Sequence, residues 1–348
     1  MRKNDLLKAR GFLESLRGKC LVAYHSDMDG VVSASILLKY FEEKGFREYE
    51  SLPLAVETHE RVLKRAKKFD YVIILDVDLS FMKEKLVSLG KRMLIVDHHP
   101  PRQDLNSRNI LYINPRLQKD VYQPVSYLMY KLLRKLMKKD VSWLAAIGTV
   151  ADYGFEDCMD LLKKFVRTRK KENLWKTKMG KLVIKLNGAL AILGFEKFLN
   201  ILVNSGNLKE LETNLAIQKA SEEYFKIYEN CKKVFWRNAR IYEDVGLIVS
   251  FLPVRKRVIS SSLATEISVK NPKKVIVIYR KIDGKCVVSA RYQGKDIDLG
   301  KLMEKCAKGL NGGGGHRNAA GATLRWEKRK IFEERLVEFL RVHRKHRK

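Results

Sequence analysis

Short apolar runs alternate with longer helix-patterned segments over the first 155 residues. The runs are CLVAYH (20–25), YVIILD (71–76), MLIVD (93–97) and ILYIN (110–114). Between them, stretches such as GVVSASILLKYFEEKG and LSFMKEKLVSLG place apolar residues at helical spacing. Strands that are buried on both faces read as continuous apolar runs, and parallel strands need helical crossovers. The pattern therefore predicts a parallel α/β sheet with helices on both faces.

The pattern changes twice after this sheet. Residues 156–235 are helix-rich and basic, whereas residues 236–345 return to alternating strands and helices. The returning strands are VGLIVSFLPV, KKVIVIYRK and KCVVSARYQ, and a glycine loop, NGGGGH, follows them. For a chain of 348 residues, two domains with a helical connector are the expected organisation. We predict a parallel-sheet domain over 1–155, a helical basic connector over 156–235 and a smaller α/β domain over 236–345.

The net charge adds a first indication of function. Seventy Lys and Arg residues against forty Asp and Glu residues give a net charge of +30. An excess of this size favours polyanionic partners, nucleic acid first. Charge-rich surfaces are also typical of thermophilic proteins, but there Glu increases together with Lys. We therefore favour a nucleic-acid or nucleotide partner.

The basic charge is densest in the predicted connector. Over residues 163–185, ten Lys and Arg residues accompany a single acid, Glu172, with Phe165 and Trp175 between them. Two interpretations stay open. The segment is either a solvated helical connector or a surface that follows phosphates and stacks bases, as in proteins that bind single strands.

Several protein classes are disfavoured by the sequence. No uninterrupted apolar run reaches the roughly 18 residues of a membrane span, and the charged N-terminus is unlike a signal peptide. The five cysteines are scattered without zinc-like spacing, which favours a reducing environment over a disulfide framework. We expect a soluble cytoplasmic protein with no membrane partner.

Potential metal ligands end three of the four apolar runs. A further acid follows the helix-like segment AAIGTVA. The candidate residues are His25, Asp27 and Asp29 after the first run, Asp76 at the second, Asp97, His98 and His99 at the third, and Asp152 after the helix. Each alone has a structural explanation, such as a polar strand end. Because ligands bind at the carboxyl ends of parallel strands, their joint placement predicts one shared site.

Such a concentration of acids needs compensation, because like charges in one cleft repel each other. Asp and His ligands without a thiolate suit Mn²⁺ or Mg²⁺ rather than structural zinc. Two such ions, about 3.5–4 Å apart, are typical of sites that hydrolyse phosphoesters. Asp97 cannot easily point the same way as His98, so we expect it to orient a histidine. We interpret Asp78, in DVDLS, as a helix cap.

The glycine run of the last domain offers a second candidate site. In NGGGGHRNAAGAT, the residues Gly313, Gly314 and Gly315 precede His316. Glycines let backbone N–H groups approach an anion closely, and an arginine fork binds phosphate in bidentate fashion. Together with Arg291, in VVSARYQ, this run is interpreted as a phosphate or nucleotide grip.

Five motifs in this order resemble the DHH phosphoesterase superfamily with its DHH-associated C-terminal domain. They are HSDMDG, ILDVD, VDHH, GTVADYG and GGGGHRNAAG, between residues 25 and 321. The resemblance implies a two-lobed α/β protein whose substrate binds between the lobes. It implies one Mn²⁺ at His25, Asp27 and Asp76, and a second at Asp29, Asp76, His98 and Asp152, with Asp76 bridging. His99 would contact or protonate the substrate phosphate, and Arg291 and His316 would hold the substrate from the other lobe.

Two finer similarities, motif spacing and chain length, bear on the substrate class, and they point to different members of the superfamily. The H-x-D-x-D spacing of the first motif resembles RecJ-like nucleases, whereas the chain length is closer to nanoRNase, pAp phosphatase and cyclic di-AMP phosphodiesterase members. We predict a Mn²⁺-dependent exonuclease that hydrolyses single-stranded nucleic acid or short oligonucleotides to mononucleotides. The alternatives are a small-nucleotide phosphodiesterase or phosphatase and, with less support because all metal motifs look intact, a non-catalytic nucleic-acid-binding subunit. The partners considered are single-stranded RNA or DNA, oligonucleotides, a second copy of the chain and a nucleic-acid-processing complex.

Overall fold

The computed structural model describes residues 3–54, 59–255 and 257–345. The chain divides into two compact units, Met1–Glu222 and Glu223–Lys348. Within the described stretches, no helix combines the length and the apolar character that crossing a membrane requires.

The first unit contains a five-stranded sheet in which all neighbours are parallel. Its order across the sheet is β2 (Tyr49–Leu54), β1 (Cys20–His25), β3 (Tyr71–Leu75), β4 (Arg92–Val96) and β5 (Ile110–Ile113). The three central strands are almost entirely buried, which explains their uninterrupted apolar sequences. This arrangement confirms the predicted parallel sheet.

The strand β2 was not predicted, because its sequence, YESLPL, has no apolar run. It lies at the edge of the sheet, where one side of the backbone needs no partner strand and Pro53 is tolerated. Glu50 of this strand pairs with Arg65 of the following helix. Charged residues and proline on an edge strand discourage pairing with another chain.

Helices cover both faces of this sheet. The bounds in the first unit are α1 (Lys3–Glu14), α2 (Met28–Glu43), α3 (His59–Ala66), α4 (Lys83–Ser88), α5 (Val125–Leu133), α6 (Ser142–Ala151), α7 (Met159–Leu162), α8 (Lys178–Leu193), α9 (Phe195–Asn204) and α10 (Leu208–Thr213). One core cluster joins one face of the sheet to α1, α2, α5, α6, α8 and α9. The other joins the opposite face to α3 and α4. The α/β class is thus the doubly covered sheet that the sequence predicts.

The boundary between the units differs from the predicted one. Residues 156–222 do not form a separate connector, because most of their large apolar side chains are buried in, or packed against, the same core as α2, although Ile184 and Leu215 are exposed. Leu174, Leu186 and Phe198 are each fully buried there. The helix α11 (Leu215–Arg237) continues from the first unit into the second. The many basic residues of the segment made it look solvated, so the apolar helix face that packs on the sheet domain was not predicted.

The second unit is built on a six-stranded mixed sheet. Its order is β10 (Asn311–Gly315), β11 (Ala319–Arg325), β9 (Lys285–Arg291), β8 (Val275–Ile282), β7 (Leu247–Phe251) and β6 (Arg240–Tyr242). Only β7 and β8 are parallel. The helices are α12 (Arg257–Lys270), α13 (Leu299–Ala307) and α14 (Arg329–Lys345). This is the predicted smaller α/β domain; the mixed direction of its strands was not predicted.

The predicted glycine loop is in fact the edge strand β10. Its residues pair antiparallel with β11, from Asn311 opposite Leu324 to Gly315 opposite Ala320. The helix α13 lies so close that a Cβ atom on Gly313 would be 2.6 Å from the carbonyl oxygen of Met303. Glycine therefore permits close packing of a helix on this strand, a role that local sequence does not reveal.

Lys39 gives a test of the revised boundary. Its Nζ, on α2, donates to the carbonyl oxygens of Val203 at 2.6 Å and Ser205 at 2.7 Å, at the end of α9. The Lys39→Met substitution would leave both carbonyls without this donor, so it should lower the free energy of unfolding by about 1–3 kcal/mol. Urea denaturation measures the change. The exposed control, Lys219→Met, should shift it by less than about 0.5 kcal/mol, and equal losses in both variants would contradict the assignment.

Candidate metal centre

The register of the sheet brings the polar strand ends to one edge. Leu75 of β3 is opposite Tyr24 of β1 and Val96 of β4. The next residues along these three strands are His25, Asp76 and Asp97. Because the strands are parallel, these three residues leave the sheet at the same edge, which is the carboxyl edge predicted from the sequence.

The turn after β1 supplies two more acids. Asp27 is the N-cap of α2, where its Oδ1 accepts from Gly30 N at 2.9 Å, and its Oδ2 lies 2.9 Å from His25 Nδ1. A Cβ atom on Gly30 would overlap the carbonyl oxygen of His25, so this tight turn requires glycine. Asp29 is buried in the first turn of the same helix.

Asp29 also meets the start of α5. Its Oδ2 accepts from Val125 N at 2.6 Å, and its Oδ1 accepts from Ser126 N at 3.1 Å. These are free N–H groups of a helix N-terminus, which stabilise a carboxylate. The helix α6 approaches the same carboxylate through Gly148, because a Cβ atom there would lie 2.9 Å from Asp29 Oδ1.

Asp76 occupies the middle of the cluster. It is 2% exposed, and its Oδ2 is 3.6 Å from His25 Nδ1 while its Oδ1 is 3.3 Å from His98 Nε2. Among the described residues, no well-aligned hydrogen-bond donor reaches the buried Oδ1. Its backbone φ of 64° is in the left-handed region, which is uncommon for a residue other than glycine. Such strain persists where the surrounding structure and a function require it.

Three overlapping groups could each hold a cation, with ligand atoms within 4.8 Å of one another. The groups are His25, Asp27 and Asp76; Asp29, His98 and Asp152; and Asp76, His98 and His99. Asp76 and His98 each belong to two of them. The structure therefore brings all six residues predicted as ligands into one connected cluster, together with His99.

The protonation behaviour shows how strongly the cluster attracts positive charge. Burial raises the pKa of Asp29 well above its usual range, and the charges of Asp76 and Asp152 raise it further. Burial also raises the pKa of Asp152 to about 6, against the lowering effect of His98. Burial opposes protonation of His25, but Asp27 and Asp76 outweigh it and raise the pKa to about 10. Without a cation, the histidines therefore hold protons that compensate the acids.

His98 behaves in the same way. Burial opposes its protonation, but Asp76 raises the pKa to about 9, with smaller contributions from Asp152 and Asp29. A divalent cation bound to the same atoms would displace these protons. The donor set of oxygen and imidazole nitrogen atoms, without a cysteine, fits Mn²⁺ or Mg²⁺.

Asp97 orients His99 rather than His98. Asp97 is fully buried, and its Oδ1 accepts from His99 Nδ1 at 2.7 Å. Asn114 Nδ2 donates to the carbonyl oxygen of His99 at 2.9 Å and to the hydroxyl oxygen of Tyr112 at 2.7 Å. With Nδ1 engaged, Nε2 is the nitrogen of His99 left for a ligand or substrate. The His99 side chain is 40% exposed, so it is accessible from solvent.

Tyr122 belongs to the site although sequence reasoning missed it. Its hydroxyl donates to Asp152 Oδ2 at 2.7 Å, and its ring centroid is 5.2 Å from that of His98. The guanidinium of Arg116 lies 5.4 Å from the same ring centroid. Tyr122 lies in an irregular segment without hydrophobic periodicity, so only contacts between residues distant in sequence place it here. Asn114, in contrast, directly follows β5 at the carboxyl edge of the sheet, and its place at the end of the fourth apolar run is the signal that could have found it.

The predicted substrate residues of the second unit come together at one end of its sheet. Arg291 ends β9, opposite Ala319 of β11. Ala319 in turn exchanges backbone hydrogen bonds with His316, at 2.9 and 3.3 Å. His316 is exposed, whereas Arg291 is half-buried and donates to Thr265 Oγ1 at 3.2 Å. Gly313, Gly314 and Gly315 lead into this end as the last residues of β10.

Two family models match the chain. The N-terminal domain of the DHH family matches residues 19–149, and the DHHA1 domain matches residues 244–342. Together they account for more than half of the chain. No similar sequence was found among curated proteins.

Solved structures share the fold. RecJ from Thermus thermophilus, in complex with Mn²⁺, has a TM-score of 0.72 and 17% identity, over 98% of this chain and 55% of that one. An exonuclease RecJ bound to manganese has a TM-score of 0.72 and 18% identity, over 98% and 95% of the two chains. For PggH, a pGpG-specific phosphodiesterase from Vibrio cholerae, the values are 0.56 and 15%, over 93% and 99%.

The chain spans about half the length of the Thermus protein, and identities this low show a shared fold. The family comes from the two domain matches, which occur in the order of the sequence motifs and include the strand ends and turns that build most of the cluster. The chain therefore belongs to the DHH superfamily of phosphoesterases, with a DHHA1 domain following its DHH domain.

Proposed function

We propose that the protein is a Mn²⁺-dependent phosphodiesterase that hydrolyses single-stranded nucleic acid or short oligonucleotides to mononucleotides from one end. The observation that carries this proposal is the cluster in which Asp76 and His98 are shared between neighbouring groups of ligands. Shared ligands are what a pair of closely spaced ions requires. The net charge of +30 supports a polyanionic substrate.

In this proposal, Asp76 would be a ligand shared by two ions. His25 and Asp27 complete the first set, and Asp29, His98 and Asp152 complete the second. The buried Asp76 Oδ1, which no well-aligned donor reaches among the described residues, fits this role. Mg²⁺ would suit the same oxygen-rich donors. When bound, the two ions would neutralise charge on the phosphoryl group and make water a better nucleophile.

Other side chains are proposed to contact the substrate or to transfer a proton. Asp97 fixes His99 through the 2.7 Å contact to Nδ1, so that Nε2 can donate a proton to a phosphate oxygen or to the leaving group. Burial of His99 opposes its protonation, but the hydrogen bond and the charge of Asp97 outweigh burial and raise the pKa of His99. In the DHHA1 domain, Arg291, His316 and the strand Gly313–Gly315 are proposed to bind substrate phosphate.

A small-nucleotide phosphodiesterase is the second candidate. It is favoured by the match to PggH, which spans nearly all of both chains. A non-catalytic binding subunit is disfavoured, because the complete set of predicted ligands is brought together. The two enzymatic candidates differ in the products that they release from a strand.

The decisive assay is incubation of end-labelled RNA, end-labelled DNA and cyclic di-AMP with the protein and Mn²⁺. We expect mononucleotides from the strands, released from one end, and no product after chelation of the metal. Asp76→Asn should abolish release, because it removes the shared carboxylate. The matched control is Asp78→Asn, because Asp78 belongs to none of the three ligand groups among the described residues. Its Oδ1 accepts from Ser80 N at 2.9 Å and from Ser80 Oγ at 2.6 Å, whereas the N-cap of the following 3₁₀ helix is Leu79, so the predicted capping role was wrong. Cleavage of cyclic di-AMP alone would favour the second candidate, and no cleavage of any substrate would contradict an enzyme.

Tyr122 is proposed to position the metal ligand Asp152. Its hydroxyl bond to Oδ2 orients the carboxylate, as partners of metal ligands commonly do. Tyr122→Phe should therefore weaken Mn²⁺ binding by about 10- to 100-fold, measured by isothermal titration calorimetry. Tyr127→Phe removes a comparable bond, from Tyr127 to Asp160 Oδ1 at 2.7 Å, outside the cluster. That control should bind Mn²⁺ normally, and unchanged affinity in Tyr122→Phe would rule out the positioning role.

A further inference from the structure

An exposed aromatic residue directly follows the metal-ligand candidate Asp152. Tyr153 is 53% exposed and has a backbone φ of 56°, in the left-handed region. It follows the C-terminus of α6, where Gly154 N donates to the carbonyl oxygen of Thr149 at 2.8 Å. Glycine is the residue usually found in this conformation after a helix, because it has no Cβ. A large aromatic side chain at this position contributes little to the core and calls for another explanation.

Tyr153 contacts the basic segment that was left with two interpretations. Its ring centroid is 5.1 Å from that of Trp175, at an interplanar angle of 71°. Trp175 is half-buried and lies in a short 3₁₀ helix, Lys171–Lys176. Its packing against the core fixes the pair in place, while Tyr153 keeps an accessible face. The two residues form an aromatic surface beside a metal-ligand candidate.

The same 3₁₀ helix brings a cation to the other neighbour of Asp152. Lys171 Nζ lies 5.8 Å from the ring centroid of Tyr122, whose hydroxyl binds Asp152. Arg116 lies 5.4 Å from the same ring centroid. Tyr122 therefore contacts the Asp152 carboxylate, Tyr153 is the next residue along the chain, and the two cations lie against the Tyr122 ring, all within the first unit.

The positive charge of Lys171 is only weakly compensated. Its acidic partner, Glu156, has Oε2 at 3.9 Å, and both side chains are exposed. Exposed pairs of this kind contribute little, so Lys171 can exchange this partner for a phosphate. Single-strand binding sites combine such cations with aromatic rings on which bases stack.

We propose that Tyr153, Trp175, Lys171 and Arg116 form a binding subsite for one nucleotide of a single strand. The base stacks on Tyr153, which Trp175 supports, and the neighbouring phosphates meet Lys171 and Arg116. This inference rests on the proposed function and makes it more specific. Such a subsite would favour a strand that carries bases over a polyanion without bases, because only a base can stack on the aromatic surface.

The test is binding of a fluorescein-labelled phosphorothioate single strand, which resists hydrolysis, to the Mn²⁺-loaded protein. Fluorescence anisotropy should show about tenfold weaker binding for Tyr153→Gly and for Trp175→Ala, the loss of one stacked base. Glycine suits the left-handed backbone, so Tyr153→Gly should fold well. Tyr153→Phe keeps the ring and should bind as the wild type does. Trp236→Ala, which changes a 46% exposed tryptophan of the second unit, is the matched control and should also bind normally.

A strand with one abasic position at the bound end separates stacking from a general loss of structure. The wild type should bind it about tenfold more weakly than the intact strand, whereas Tyr153→Gly should bind both equally. Equal binding of the intact strand by wild type and Tyr153→Gly would overturn the subsite, as would a wild type that binds no strand. If binding depends on Tyr153 but an unmodified strand is never hydrolysed, the subsite holds and the proposed enzymatic function fails. If the strand is hydrolysed but its binding does not depend on Tyr153, the proposed enzymatic function holds and the subsite fails.

Discussion

The mutual repulsion of three acids, two of them buried and one half-buried, is the constraint on which the rest of the molecule depends. Asp29, Asp76 and Asp152 lie with His25 and His98 at one edge of a parallel sheet. Burial removes the water that would otherwise weaken their repulsion. Without cations, the raised pKa values of Asp29, His25 and His98 indicate that bound protons compensate the negative charge of the cluster. The left-handed backbone conformation at Asp76 is also energetically unfavourable, and the surrounding sheet and helices maintain it.

The protein therefore combines two opposite charge arrangements. A compact acidic cluster attracts cations, while the chain as a whole carries a net charge of +30 and attracts phosphate. The two meet around Asp152, where Tyr122 contacts the carboxylate and the cations Arg116 and Lys171 flank the Tyr122 ring. The proposed phosphodiester substrate would need both, because metal ions would act on its scissile phosphate and basic side chains would hold the neighbouring phosphates.

Local patterns predicted the parts of the structure that are built from buried strands. The apolar runs of β1, β3 and β4 end in polar residues, so both the sheet and the candidate ligands followed from the sequence. The strand β2, with Pro53 at the sheet edge, lacked such a run. The three lysines of α8 obscured its apolar face, so the helices that follow Asp152 were assigned to a separate connector. Tyr122 reaches Asp152 across thirty positions of sequence, and such contacts leave no local pattern.

Diffraction at the manganese absorption edge, from crystals grown with Mn²⁺, tests the shared cluster most directly. The account predicts two anomalous peaks about 3.5–4 Å apart, with the carboxylate of Asp76 in contact with both. It also predicts that His25 and Asp27 contact one peak and that Asp29, His98 and Asp152 contact the other. A single peak, peaks elsewhere in the protein, or an Asp76 carboxylate that contacts no metal would contradict it.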